Sequence, residues 1–363
     1  MPEKAPTSLG AYEVVRPIGH GGMGTVYEGF HRMLARRVAI KVLSPNLALL
    51  GEGVVQERFL REGRAAAMVD HPNVVGVYDL GVEDGTPYLV MELVEGETLA
   101  KRILRARRLS VAETTELMLG VVSAVAELHE VGILHRDLKP ANILLADGPA
   151  GVCPKIADFG VSRTTDGAGS LTESGVLLGT VAYMAPEQAG ACRTSTERSD
   201  QYSLGVVLYE CLTGGKPFRG SSPFDLVTEI TRGVILPPSA RNHDVPQELD
   251  EVVLRAMSRE PEARFPSVRA LGEALLPFAE PAIAARWASD LRVPSIIETL
   301  YGVEAPVRRR TLPPGRRSTM AIAALVVLTA GLTAAAVYRE HLASARTERP
   351  SPSQTAPPAG CPL

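Results

Sequence analysis

With 363 residues, the chain is long enough for one large or two small domains plus tails. Its 38 basic and 41 acidic side chains leave a net charge of −3, which excludes the basic excess of a general nucleic-acid binder, so no nucleic-acid partner is expected. The four cysteines, Cys153, Cys192, Cys211 and Cys361, show no C-x-x-C spacing, which argues against a zinc site or a disulfide framework and fits a reducing compartment for the first three.

Residues 1–11 read as a tail without the apolar core of a signal peptide. The stretch "IGHGGMGTV" follows, Ile18, Gly19, His20, Gly21, Gly22, Met23, Gly24, Thr25 and Val26, in the pattern G-x-G-x-x-G. Glycines let a backbone approach an anion and aim N–H groups at it, so the pattern suits either a dinucleotide pyrophosphate or the phosphates of ATP. The next element separates the two. Thr25 to Phe30 is rich in β-branched and aromatic residues, which predicts a strand and a glycine-tipped hairpin, not the helix of a dinucleotide fold. A nicotinamide-dependent oxidoreductase also needs an acidic residue about twenty positions on, where Lys41 and its apolar neighbours stand.

"RRVAIKVL" predicts a second strand, with Ala39 and Lys41 inside it. Between Val54 and Val69, the residues Val55, Phe59, Ala66 and Val69 share one helical face, with Glu62 in the middle of it. A carboxylate on a buried face is costly unless paired, so Glu62 is expected to meet Lys41. Glu57 falls off that face and reads as solvated, and the sequence gives no reason for Gly63. Tyr12 to Leu93 therefore reads as short strands interrupted by this one helix. From Thr98 to Phe278 the pattern is mostly helical, with strand fragments near Asn142 and Lys155. Ser110-x-x-Glu113 predicts a capping box, Leu117, Val121, Val125 and Leu128 a buried stripe behind it, and Gly132 the end of that helix.

The chemistry-bearing residues follow. In "ILHRDLKPANILL", Asp137, Lys139 and Asn142 sit between apolar runs and offer a proton acceptor, a cation and a neutral oxygen ligand. Asp158, in "ADFGVS", adds a second carboxylate able to hold Mg²⁺ beside a nucleotide. Near the C-terminus, Met320 to Tyr338 carries no charge and approaches the roughly 20 apolar residues that span a bilayer. Arg308, Arg309, Arg310, Arg316 and Arg317 precede it, which predicts a cytoplasmic N-terminal side and a short proline-rich tail outside.

In order the chain shows G-x-G-x-x-G-x-V (Gly19 to Val26), V-A-I-K (Val38 to Lys41), H-R-D-L-K-P-A-N (His135 to Asn142), D-F-G (Asp158 to Gly160) and A-P-E (Ala185 to Glu187). The set resembles a eukaryotic-type (Hanks-type) serine/threonine protein kinase over Tyr12 to Phe278, and its combination with one C-terminal span resembles the bacterial single-span transmembrane kinases. The resemblance implies an α+β bilobal fold, a small β-rich lobe with one helix and a larger helical lobe, plus one transmembrane helix. It divides the chain into a tail (1–11), a kinase domain (12–280), a juxtamembrane linker (281–318), a transmembrane helix (319–338) and an extracytoplasmic tail (339–363). It implies localisation to the bacterial inner (cytoplasmic) membrane, with the kinase domain in the cytoplasm.

The resemblance also assigns roles. ATP, with Mg²⁺ or alternatively Mn²⁺, would lie under residues Ile18 to Val26 and against Ala39, Met91, Leu144 and the backbone of Glu92 and Val94. Lys41, held by Glu62, would contact its α- and β-phosphates. Asp137 is the implied catalytic base, Lys139 the γ-phosphate contact, and Asn142 and Asp158 the metal ligands. Glu187 is expected to pair with Arg264, and Asp200 to brace the catalytic loop. Thr172 and Ser174 are the expected autophosphorylation sites, with Arg136 as partner of the added phosphate. The implied partners are protein substrates and the lipid bilayer, with a homodimer through the kinase domain compatible with the resemblance. Lysine two residues after Asp137, together with Thr180, points to serine and threonine acceptors. A scaffold that had lost catalysis would lack one of Lys41, Glu62, Asp137, Asn142 or Asp158, and all five are present.

Overall fold

Alternating β-branched residues and tight turns build the first half of the domain. The computed structural model describes residues 6–21, 24–44, 54–148, 151–158, 180–189 and 195–291. Its first sheet contains β1 (Ser8–Leu9), β2 (Tyr12–Gly21), β3 (Gly24–His31), β4 (Arg36–Leu43), β5 (Val77–Glu83) and β6 (Thr86–Glu92), in the antiparallel order β1-β2-β3-β4-β6-β5. The tail expected over 1–11 thus contributes a short strand, and Leu9 is buried beneath the sheet.

One helix, α1 (Val54–Ala66), packs on β5 and β6. The predicted apolar face holds: Phe59, Ala66 and Val69 are buried, Val55 is partly so, and Glu57 is exposed. The structure also accounts for Gly63. A Cβ there would lie 2.9 Å from Leu80 and 3.2 Å from Leu89, so glycine lets the helix settle onto the sheet.

After a hinge and β7 (Gly96–Thr98), the chain becomes helical: α2 (Leu99–Ala106), α3 (Val111–Glu130), then β8 (Ile143–Gly148) and β9 (Gly151–Ile156), which join β7 in a second sheet. The later helices are α4 (Pro186–Ala189), α5 (Glu197–Thr213), α6 (Pro223–Arg232), α7 (Gln247–Ala256), α8 (Val268–Leu275) and α9 (Pro281–Leu291). The predicted stripe on α3 understates its burial, because Met118, Leu119, Val122 and Ala124 are buried as well. With α5 it forms the centre of the larger core.

Two sequence expectations change here. Ser110 accepts from the Glu113 N–H at 3.1 Å, but the Glu113 carboxylate turns to Arg102 at 2.7 Å, so only half of the capping box forms. The linker expected to begin at 281 instead opens with α9, which packs on α3 and α8 and buries Trp287 and Leu291. Among the described residues no helix is long and apolar enough to cross a membrane, and the predicted span over 319–338 lies outside them.

Candidate active site

The glycine hairpin forms as predicted, with Gly19 opposite Val26, His20 opposite Thr25 and Gly21 opposite Gly24. Gly22 and Met23, at its tip, lie outside the described residues. The three motif glycines serve different needs. A Cβ on Gly24 would sit 1.9 Å from the Val42 carbonyl oxygen, so pairing of β3 with β4 itself demands glycine. A Cβ on Gly19 or Gly21 would meet nothing nearer than 3.9 Å, which leaves open space beside those two backbones.

Below the hairpin, Ala39, Val75 and Met91 form a buried cluster on which Val26, Leu93, Val94, Leu144 and Ala157 pack with part of their surface free. Val26 and Ala39 come from the upper sheet, Leu144 from the lower one. Apolar faces of the two sheets thus come together here, and their chemistry suits a slot for a flat ring. Ile18, next to Gly19 on β2, is exposed. The Glu92 N–H is spent on the Gly76 carbonyl at 2.8 Å, so Glu92 can meet an adenine only through its carbonyl.

Beyond the slot, Lys41 donates to Asp158 Oδ1 at 2.6 Å. Glu62 is not its partner. The expected Lys41–Glu62 pair is replaced because Asp158 takes the ammonium, while Arg58, one turn earlier on α1, takes Glu62 Oε1 at 3.1 Å. Glu62 Oε2 is buried without a hydrogen bond. Burial raises the Glu62 pKa, opposed by the charges of Arg58, Arg136 and Arg61. For Asp158, burial pushes upward, but the charge and hydrogen bond of Lys41 outweigh it and hold the carboxyl below its ordinary value.

The catalytic segment is held from two sides. Asp137 Oδ2 accepts from Lys139 Nζ at 2.7 Å and from Asn142 Nδ2 at 3.0 Å, which leaves Oδ1 without a donor among the described residues. Asn142 lies in a short 3₁₀ turn, Pro140–Asn142, and also donates to the Asp137 carbonyl. Lys139 reaches Thr180 Oγ1 at 3.2 Å, so Thr180, which the sequence did not assign to this contact, fixes the lysine in place.

From behind, Asp200 at the start of α5 accepts from the backbone N–H groups of His135 and Arg136, each at 2.8 Å, and contacts His129 Nε2 at 2.9 Å. Arg136 has φ of 64°, a conformation that a side-chain-bearing residue keeps only when its surroundings enforce it, and Asp200 is one such enforcer. Burial pushes the Asp200 carboxyl up, but the hydrogen bond and charge of His129 and the backbone donors bring it below the ordinary range. Glu187 and Arg264 pair through two 2.8 Å bonds, away from the slot. Arg136 Nε is buried without a hydrogen bond, and its expected partners Thr172 and Ser174 lie outside the described residues.

The protein kinase domain family matches residues 12–275. The chain belongs to the protein kinase family. Its kinase domain has the bilobal fold of that family, a β-rich lobe above a helical one. It is similar to the serine/threonine-protein kinase PrkC of Bacillus subtilis, 40% identical over 258 residues, covering 70% of this chain and 38% of that protein. The serine/threonine-protein kinase PknB of Mycobacterium tuberculosis is 36% identical over 309 residues, covering 83% and 48%. The chain therefore spans less than half the length of these curated relatives. The solved PknI kinase domain of Mycobacterium tuberculosis superposes with a TM-score of 0.60 at 30% identity, over 77% of this chain and 100% of that one.

Membership of this kinase family implies use of ATP with a divalent cation, and the residues fit both. Open space beside Gly19 and Gly21 leaves room for phosphates, and the apolar slot for a base. The Asn142 amide nitrogen is committed to Asp137, so its oxygen is the atom free to meet a cation beside Asp158. No cage of three His, Cys, Asp or Glu side chains exists among the described residues. Two hard oxygen donors suit Mg²⁺, which keeps waters and shares phosphate oxygens instead of occupying an all-protein cage.

Proposed function

We propose that the chain transfers the γ-phosphate of ATP to serine and threonine hydroxyls of proteins. The observation that carries this reading is the state of Asp137: partly buried, with both hydrogen-bond donors on Oδ2 and Oδ1 left to accept a hydroxyl proton. Lys139, on the same carboxylate and steadied by Thr180, offers a positive charge where the transferring phosphoryl group would pass. Lys41 is the cation for the α- and β-phosphates and must exchange Asp158 for phosphate oxygens when nucleotide enters. Asn142 and Asp158 would hold Mg²⁺, with Mn²⁺ as the alternative. A cation held there would supply positive charge to offset the negative charge that develops on the phosphates during transfer.

Three further parts of this reading rest on the sequence. The uncharged run at 320–338 anchors the chain in the inner membrane, with the arginines at 308–317 on the cytoplasmic side. Thr172 and Ser174 accept phosphate from the enzyme itself, giving Arg136 a partner. Pairing of two kinase domains would let one chain modify the other. Recovery of the chain in the soluble fraction of carbonate-washed membranes would exclude the anchor, and phosphosite mapping of active protein without either hydroxyl would exclude the second part.

The test of the activity is transfer of labelled phosphate from ATP with Mg²⁺ to a mixed-sequence protein substrate. Incorporation into serine or threonine is expected for the chain and should disappear in Asp137→Asn and Lys41→Met. Undiminished labelling by those variants would overturn the assignment.

A further inference from the structure

The Glu92 carboxylate, one residue after Met91 at the end of β6, ties the upper sheet to β9 of the lower lobe and to the segment that precedes β5. Its Oε2 accepts from Lys155 Nζ at 3.0 Å and from the Gly76 N–H at 3.3 Å. Lys155 and Glu92 side chains keep only 16% and 27% of their surface exposed. The Glu92 N–H returns to the Gly76 carbonyl, so this residue is bonded to the 73–76 segment through both backbone and side chain.

That segment is itself fastened to the lower lobe. The Ile156 N–H donates to the Asn73 carbonyl at 2.8 Å, the Val75 N–H to the Ile156 carbonyl at 2.9 Å, and Asn73 Nδ2 to the Pro154 carbonyl at 2.7 Å. Asn73 is buried, and a Cβ on Gly120 of α3 would lie 2.9 Å from its amide nitrogen. The 73–76 segment, β9 and α3 therefore form one block. Lys155 belongs to that block and stands three residues before Asp158 on the same chain. Leu144, part of the slot, pairs with Lys155 across β8 and β9.

From this geometry we infer that Glu92 and Lys155 form a hinge latch, a pair of positioning residues that holds the adenine end of the slot at a fixed spacing from Leu144 and Asp158. The inference rests on the nucleotide-binding reading above. Neither side chain reaches the reacting atoms. Lys155 acts through Glu92, whose backbone borders the base. When the latch is lost, the hinge samples more angles and the slot is no longer held at the thickness of a ring. The loss falls on nucleotide affinity and spares the phosphoryl-transfer step, because Asp137, Lys139 and Asn142 are bonded to one another and to Thr180, not to the hinge.

The experiment measures binding of a fluorescent ATP analogue with Mg²⁺, and steady-state kinetics, on the full chain. Lys155→Met is expected to weaken analogue binding and raise KM for ATP by about three- to fivefold, the upper range of a solvent-accessible ion pair. The kcat and the KM for the protein substrate should stay within about twofold, a split that general destabilisation would not produce. Lys155→Arg should remain near the parent. The double variant Glu92→Gln/Lys155→Met should be no worse than Lys155→Met alone. If Lys155→Met does not fold, Lys155→Arg and the exchanged pair Glu92→Lys/Lys155→Glu decide. Recovery of binding in the exchanged pair relative to Glu92→Lys supports the latch, and its absence overturns it. Unchanged or tighter nucleotide binding in folded Lys155→Met also overturns it, while the kinase reading stands. Failure of the parent chain to bind the analogue would overturn both.

Discussion

Replacing Glu187 by glutamine removes one charge from a pair whose other member has no route to water. The Arg264 side chain is fully buried and donates twice to Glu187, to the Ser258, Arg198 and Arg259 carbonyls at 2.8, 2.7 and 3.1 Å, and stacks over the Tyr202 ring. Breaking a buried pair by removing one partner costs about 3–5 kcal/mol, because an uncompensated charge remains. Three carbonyls stay with Arg264 in Glu187→Gln, which places the expected loss at the low end, about 3 kcal/mol. The measurement is urea unfolding of parent and variant. The Glu187→Met/Arg264→Met double variant should lose less than the sum of the single ones. Burial raises the Glu187 pKa, but the hydrogen bond and charge of Arg264 win and lower it. With a folded value below the unfolded one near about 4.3, the stabilisation is complete at higher pH and drains away as pH falls through that value toward the folded one. Glu187→Gln should therefore flatten the acid limb of the stability profile. A loss under about 1 kcal/mol, or an unchanged acid limb, would refute the reasoning.

The two glycines of the flap should respond differently to alanine. Gly24→Ala drives a methyl group into the Val42 carbonyl and should cost about 2 kcal/mol or more in unfolding experiments, whereas Gly21→Ala should leave stability within about 0.5 kcal/mol and weaken nucleotide binding. Asp200→Asn puts an amide N–H₂ against one of two backbone donors. It should lower kcat by about a hundredfold in steady-state assays while KM for ATP moves little, since the slot and Lys41 are untouched. Ser110→Ala removes the acceptor for the Glu113 N–H and should lower stability by about 1 kcal/mol, read from thermal unfolding at a fixed concentration.

Both lobes could be read from the sequence because period and punctuation were strong. The β-branched run after Gly24 became β3, the face through Phe59 and Ala66 became the buried side of α1, and Gly132 ends α3 with φ of 75°. What the sequence could not supply was the choice among nearby charges. The sequence offered Lys41 two candidate carboxylates, and linear order gave no way to rank Asp158 above Glu62. Arg58, at i−4 from Glu62, was a visible competitor, because such spacing brings two side chains together on one helix face. Tertiary contacts also escaped it. Val75 reaches the slot from a segment without periodicity, and Asn73 is committed to a carbonyl eighty-one positions away. The helix that opens the segment after 280 escaped for a related reason. The sequence shows an amphipathic piece near Trp287, while the contacts that make 281–291 a packed helix come from α3 and α8.

The burial of Trp287 and Leu291 bears on where the chain can be cut. Gly272 of α8 sits against Leu291, where a Cβ would come within 2.8 Å of its methyl group, so the two helices have no slack between them. A fragment stopped at 275 or 280 satisfies the family boundary yet strips a fitted lid from the lower lobe. It would present bare aliphatic surface on Val122, Leu271 and their neighbours, the kind of patch that drives self-association. Aggregation of such a truncation would then reflect the position of the scissors, and a terminus at 293 or later would restore a well-behaved preparation.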